Sequence, residues 1–199
     1  MKKVLLLIKI STSRLKKNLH LVQTAEQLIE VFKLRSNIYT RVNYETECPD
    51  LIEGLNFDMY DKNSAILFYE SNNEIRATGR LIFDTKSVLP TEEKLSFAHI
   101  RKEHQNISEI SRLVIKGESK GLSLEFKYIT QGFYSVMLKN NIQLALLSIK
   151  EEHYKLYSKF GGSKIIQKLS NYGHVDLPFL IMSLDPSQPS KFFTKAFLT

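Results

Sequence analysis

A single cysteine, Cys48, in 199 residues leaves no partner for an intramolecular disulfide and too few thiolates for a structural zinc or iron–sulfur site. The fold must therefore rest on its core. Glycine and proline are scarce, at eight and five, which excludes collagen-like and low-complexity chains. An apolar content of 43% excludes an intrinsically disordered one. No run approaches the roughly eighteen uninterrupted apolar residues of a spanning helix. The short apolar stretch 4–8 is preceded by Lys2 and Lys3, broken by Lys9 and followed by no small-residue cleavage pattern, so a cytoplasmic protein is expected. A G-x-S-x-G nucleophile elbow and a dinucleotide fingerprint are both missing. His99, His104 and His153 lack H-x-x-x-H spacing, so no metal site is expected.

The net charge of +7 is unevenly placed. Lys2, Lys3, Lys9, Arg14, Lys16 and Lys17 fall within the first seventeen residues, which hold no acid, so the remainder is nearly neutral. Residues 1–17 read as a basic arm and 18–199 as one domain. Basicity confined to an arm gives no support for nucleic-acid binding by the domain itself.

Along the chain, 19–23 reads as a strand, and Thr24-Ala25-Glu26-Gln27 is a capping box opening a helix with Leu28, Val31, Phe32 and Ile38 near one face. A long polar loop follows over 42–57, and two apolar runs around the Asn-rich turn 71–74 make an antiparallel hairpin over 65–83. After a charged connection, 84–105, strand 107–115 alternates Ile107, Glu109, Ser111 and Leu113 against Ile110, Arg112 and Val114. Polar and apolar side chains are thus mixed on both faces, unlike a plain core strand. The turn 116–121 leads into an amphipathic helix carrying Leu122, Phe126, Ile129, Phe133 and Met137, which Asn140-Asn141 stops. The apolar run 142–149 then implies a strand parallel to the one before it. A helix over 151–160, with Tyr154 and Tyr157 facing inward and Gly161-Gly162 as its cap, precedes two closing strands at 164–167 and 179–184.

This order resembles the GNAT acetyltransferase fold, and 156–162, Leu-Tyr-Ser-Lys-Phe-Gly-Gly, looks like that family's last helix end. The resemblance implies an α/β fold with a mixed, mostly antiparallel sheet that splays between its fourth and fifth strands. The loop 116–122, with two glycines and Glu118, is a poor version of the family's coenzyme A pyrophosphate loop, because a pyrophosphate needs several free amides and no opposing acid. Four fragments narrow the likeness: 32–39 (FKLRSNIY), 57–61 (FDMYD), 78–81 (TGRL) and 108–113 (SEISRL). In this order they resemble the branch holding acyl-homoserine lactone synthases and long-chain N-acyl amino acid synthases, over roughly 19–184.

That resemblance implies a site residue by residue. Arg35 and Tyr39 match the helix arginine and aromatic, Asp58 and Asp61 the D-x-x-D acids, Arg80 the hairpin arginine, and Glu109 with Arg112 the E-x-S-R of the fourth strand. Arg35, Tyr39, Asp58, Asp61 and Arg80 would bind substrate or brace the long loop, since charges so placed are tolerable only when paired. Glu109 would take a proton from the amine nucleophile. Amides beyond Arg112 would hold the thioester oxyanion. The acyl tail would enter the splay among Leu113, Ile115, Phe126, Ile129, Phe133, Ala145 and Leu147. Acidic acyl-carrier protein would dock on Lys116, Lys120 and Lys127, bringing an acyl-phosphopantetheine donor to a monomer that has no tightly bound cofactor.

Two departures separate the siblings. Tyr44 and Glu45 stand where lactone synthases carry a tryptophan, and Asn56 stands where they carry an acid; both positions serve S-adenosylmethionine in that family. The resemblance therefore implies an amino-acid acceptor, tyrosine or another, ahead of lactone formation from S-adenosylmethionine. A non-catalytic module binding carrier protein or an anionic membrane is the reading from another class.

Overall fold

The computed structural model describes residues 18–85, 88–117 and 122–198; the basic arm lies outside them. The chain opens on strand β1 (Leu19–Leu21), and Thr24 then starts helix α1 (Ala25–Arg41). The capping box is formed: the Gln27 amide donates to Thr24 Oγ1 and the Thr24 amide to Gln27 Oε1, each at 3.3 Å. Strands β2 (Ser64–Ser71) and β3 (Glu74–Phe83) make the hairpin. Its two turn residues, Asn72 and Asn73, sit at φ of 55° and 58°, the left-handed pair that a tight hairpin turn demands.

The charged connection is more structured than its composition indicates. It holds a 3₁₀ turn (Pro90–Glu93) and helix α2 (Ala98–Glu103). Leu89, Phe97 and Ile100 are buried from it against Ile82, Ile107, Leu146 and Ile181 of the sheet. Arg101 clamps the segment, reaching Asp84 at 2.6 Å and Glu92 at 2.5 Å.

Strand β4 (Ile107–Ile115) lies against β3, helix α3 (Leu124–Lys139) crosses back, and β5 (Leu144–Lys150) pairs with β4 in parallel. The expected helix over 151–160 is shorter than its sequence indicated: a 3₁₀ turn (Glu151–His153) and one α-turn, α4 (Tyr154–Tyr157). One turn has a narrow inward face, so Tyr157 packs on the core while Tyr154 remains 38% exposed, contrary to the inward placement of both. Among the described residues, strands β6 (Ser163–Leu169) and β7 (Phe179–Leu184) complete a seven-stranded sheet in the order β1-β2-β3-β4-β5-β7-β6, in which β4 and β5 pair in parallel. Helix α5 (Lys191–Phe193) and a following turn, unmarked by the sequence, bury Phe193 and Phe197 beneath α3.

Two features of β4 organise the site. Its ladder with β5 runs from Ile107–Leu144 to Ile110–Leu147 and ends there, while β4 continues to Ile115 and β5 to Lys150. The strands part beyond that rung. Opposite Gly79, β4 also carries one extra residue, since Thr78 pairs with Val114 but Arg80 pairs with Ser111. Arg112 takes the left-handed conformation of this bulge at φ 54°, a strained state for a residue with a side chain.

Candidate active site

The bulge overturns the plain alternation expected for 107–115. Glu109, Ser111 and Arg112 all engage partners on the face covered by α1: Glu109 meets Thr91, Ser111 meets Arg80, and Arg112 meets Asp58 and Tyr39. Leu113 moves to the α3 face, and Val114 returns to α1 beside Leu34 and Ile38. One inserted residue thus gathers three polar side chains where alternation would supply two.

On this face five residues from four elements form a continuous ion chain. Arg35 of α1 reaches Asp61 at 2.8 Å; Arg80 of β3 bridges Asp61 at 3.2 Å and Asp58 at 2.5 Å; Arg112 closes on Asp58 at 2.9 Å. Both acids sit in a tight turn that they tie themselves, Asp61 accepting from the Asp58 amide and Asp58 from the Tyr60 amide. Burial opposes the charge on Asp58, but the guanidiniums of Arg80 and Arg112 outweigh it and hold the carboxyl well below the usual carboxylate range. The Arg112 guanidinium lies 5.4 Å from the Tyr39 ring centre, and Arg80 lies 5.9 Å from that of Tyr60. Arg35 is wholly buried, and its Nε and Nη2 face no partner among the described residues.

Glu109 is next to this chain but outside it, and only 2% exposed. Its carboxylate accepts from Thr91 through both oxygens, from the amide at 3.0 Å and from the hydroxyl at 2.7 Å. Burial pushes its pKa up to about 7, against the lowering effect of the Thr91 bonds and the Arg80 charge. A carboxyl that changes protonation near neutrality is suited to act as a general base.

The α3 face opposite presents a small apolar cavity of about 20 Å³ at the splay, lined by Ile110, Leu113, Phe133, Leu147, Phe160 and Leu184, with Thr130, Tyr134 and Tyr157. Of the expected acyl-binding residues, Leu113, Phe133 and Leu147 line it. Phe126, Ile129 and Ala145 are buried in the surrounding core, and Ile115 packs at its edge. Lys116 pairs with Glu74, Lys127 is half-buried on α3, and Lys120 lies outside the described residues.

A family model for the N-acyl amino acid synthase FeeM matches residues 30–185. The chain belongs to that family. Among solved structures it is similar to FeeM, an N-acyl amino acid synthase from uncultured soil microbes, at 18% identity and a TM-score of 0.69, covering 85% of this chain and 89% of that one. It is likewise similar to the acyl-homoserine lactone synthase LasI (16%, TM-score 0.64, covering 90% and 93%). A CoA-dependent acyl-homoserine lactone synthase, BjaI, follows at 13% and 0.67, covering 90% and 87%. These likenesses bear out the GNAT-like fold. No curated protein matches the chain. As a member of the FeeM family it is an N-acyltransferase using an acyl thioester donor.

Within this FeeM-family site, sequence reading missed Thr91 and Ser148. Thr91 lies in a connection with no periodicity to flag it. Ser148 carried a signal, being a hydroxyl inside the apolar run 142–149. Of the sibling-separating positions, Asn56 is fully buried, donating from its amide to the carbonyls of Cys48 at 2.7 Å and Pro49 at 3.2 Å. Tyr44 packs beside Tyr39 and Cys48, with the Lys150 ammonium 5.3 Å from its ring centre.

Proposed function

We propose that the protein transfers a long-chain fatty acyl group from acyl-carrier protein to the α-amine of an amino acid, tyrosine or another, with Glu109 as general base. Supporting this reading above all is a single juxtaposition. A buried carboxylate poised near neutrality stands beside an ion chain at the point where β4 and β5 part. The amine attacks the thioester carbonyl, a C–N bond forms, the C–S bond breaks, and the thiol leaves. The β4 edge beyond Ile110, released from β5, is where the carbonyl oxygen would accept backbone hydrogen bonds. Arg112, at the bulge, and the chain of Arg35, Asp61, Arg80 and Asp58 hold the acceptor side rigid through paired charges. The acyl tail enters on the α3 face, where burial of each methylene contributes about 0.8 kcal/mol and so favours long chains.

Incubating the protein with dodecanoyl-carrier protein, dodecanoyl-CoA or acetyl-CoA and a mixture of amino acids, with product masses as readout, tests each part. An N-dodecanoyl amino acid formed fastest from the carrier-bound donor is the expected result. Equal rates from CoA would remove the carrier-protein element, equal rates from acetyl the long-chain element, and no N-acyl product the whole reading. Lactone formed only with S-adenosylmethionine would shift the protein to its sibling activity.

A further inference from the structure

Glu109 poses a geometric difficulty for its role. It is almost wholly buried, both of its oxygens are occupied by Thr91, and Thr91 is itself buried. A substrate amine has no direct line to the carboxylate. Ser148 of β5 supplies the missing link, since its Oγ lies 3.2 Å from Thr91 Oγ1 and the residue is half-buried rather than sealed. Parallel pairing of Glu109 with Leu146 brings this stretch of β5 alongside.

Hydrogen-bond chemistry fixes the polarity of the chain. An ionised carboxylate only accepts, so the Thr91 hydroxyl spends its one proton on Glu109 Oε1. The Thr91 oxygen can then only accept from Ser148, so Ser148 donates to it. When Glu109 is protonated the order can reverse, which is what a proton-conducting chain requires.

We propose that Ser148 and Thr91 form a two-hydroxyl relay that carries the acceptor's proton to Glu109, so that the substrate amine meets Ser148 and not the carboxylate. This rests on the reading of Glu109 as base. In the step, an N–H bond of the substrate ammonium breaks, its electron pair stays on nitrogen, and the proton passes to Ser148 Oγ. Ser148 gives its own proton to Thr91 Oγ1, and Thr91 gives its own to Glu109 Oε1. Each hydroxyl gains one proton and loses one. After attack, a second nitrogen proton leaves with the departing sulfur, and Glu109 returns its proton to solvent along the same hydroxyls. The charged and titratable neighbours that tune the carboxylate are Arg80 from β3, Glu92 from the 3₁₀ turn, Tyr60 from the D-x-x-D turn and Tyr172 from the β6–β7 connection, whose hydroxyl also hydrogen-bonds with Ser148 and Thr91.

The test is steady-state N-acylation across pH 5 to 9, with dodecanoyl-carrier protein and mixed amino acids, on the full chain and on Thr91→Val, Thr91→Ser, Ser148→Ala and Glu109→Gln. Valine keeps the shape of Thr91 and its backbone bond to Glu109, so the fold is retained. The expected result is a plateau kcat lowered about 10²-fold in both Thr91→Val and Ser148→Ala, the scale of general acid–base assistance, with donor KM unchanged. Thr91→Ser, which keeps a hydroxyl, restores most of the rate. If Thr91 merely held the carboxylate, Thr91→Val would shift the acidic limb upward yet reach the wild-type plateau, and Ser148→Ala would be fully active; either outcome overturns the relay. Full activity in Glu109→Gln overturns the base itself, and the relay with it.

Discussion

Asn56 illustrates how much one amide can decide. It is fully buried among carbonyls: its side-chain nitrogen donates to Cys48 and Pro49, and its own backbone amide donates to Phe32 at 3.1 Å, joining the polar loop to α1. Ser36 and the Gly54 amide add a second tie through Asp50. An aspartate has the same outline but no donors, and would set a carboxylate against two carbonyl oxygens. Asn56→Asp should therefore cost about 3 kcal/mol of stability, read as a lowered denaturant midpoint. A midpoint unchanged from wild type would show that the loop does not depend on this amide. Glu109 makes the stability of the fold depend on pH through linkage. Its pKa rises from an ordinary 4.5 to about 7 on folding. Between those pH values the folded protein keeps a proton that the unfolded chain has released, so the stability this group contributes is full below 4.5 and is lost as pH rises to 7. Glu109→Gln should therefore lose about 3 kcal/mol less than wild type between pH 4.5 and 8, measured by urea unfolding. Parallel pH profiles for the two proteins would contradict the buried, neutralised carboxyl.

Elements differ in how plainly the sequence announces them. The hairpin is legible because Asn72-Asn73 have a local reason to be where they are, and α3 because its apolar residues recur at helical spacing. The bulge in β4 has no such local mark. Arg112 adopts a left-handed backbone that its residue type does not favour, at the extra residue opposite Gly79, and no local residue preference announces it. What the sequence did show was the symptom, polar and apolar residues mixed on both faces of 107–115. The segment 84–105 reads as a connection in sequence because its buried residues, Leu89, Thr91, Phe97 and Ile100, follow no period; they are held by tertiary contact with the sheet. At Gly79 α3 comes so close that a Cβ would lie within 2.5 Å of Phe133 Cζ and 3.1 Å of Ile129 Cγ2. Gly79→Ala must push α3 away from the bulge, and an overpacked core position of this kind costs about 1–3 kcal/mol. The loss should be visible in thermal unfolding, together with a fall in acylation rate as Arg112 is displaced. A variant with wild-type melting and rate would mean that Phe133 yields freely.

At the scale of the whole molecule, the sheet divides the work. Its α1 face carries every charge of the site, Arg35, Asp58, Asp61, Arg80, Glu109 and Arg112, while the α3 face at the same rung is apolar, with Ile110, Leu113, Phe133 and Leu147. The two faces approach each other where the β4–β5 ladder stops at Ile110–Leu147. The four motif fragments made the charged half legible, because ionisable residues at fixed spacing are conspicuous. The apolar half was blurred, because a residue that lines a cavity and a residue that fills the core look alike in sequence: Leu147 lines it, while Ala145 two residues earlier is buried in the core. The cavity is far smaller than a fatty chain, so on the proposed reading a long acyl group parts the side chains around it, and enlarging one of them should decide how far the chain can enter. Leu147→Phe fills that space from the last paired rung without touching the ion chain or Thr91. It should cut kcat/KM for dodecanoyl donors by at least about tenfold while butanoyl donors react as before, since each methylene denied burial forfeits roughly 0.8 kcal/mol. Circular dichroism would confirm that the variant is folded. An unchanged chain-length profile in the folded variant would place the acyl tail elsewhere than between α3 and the parting strands.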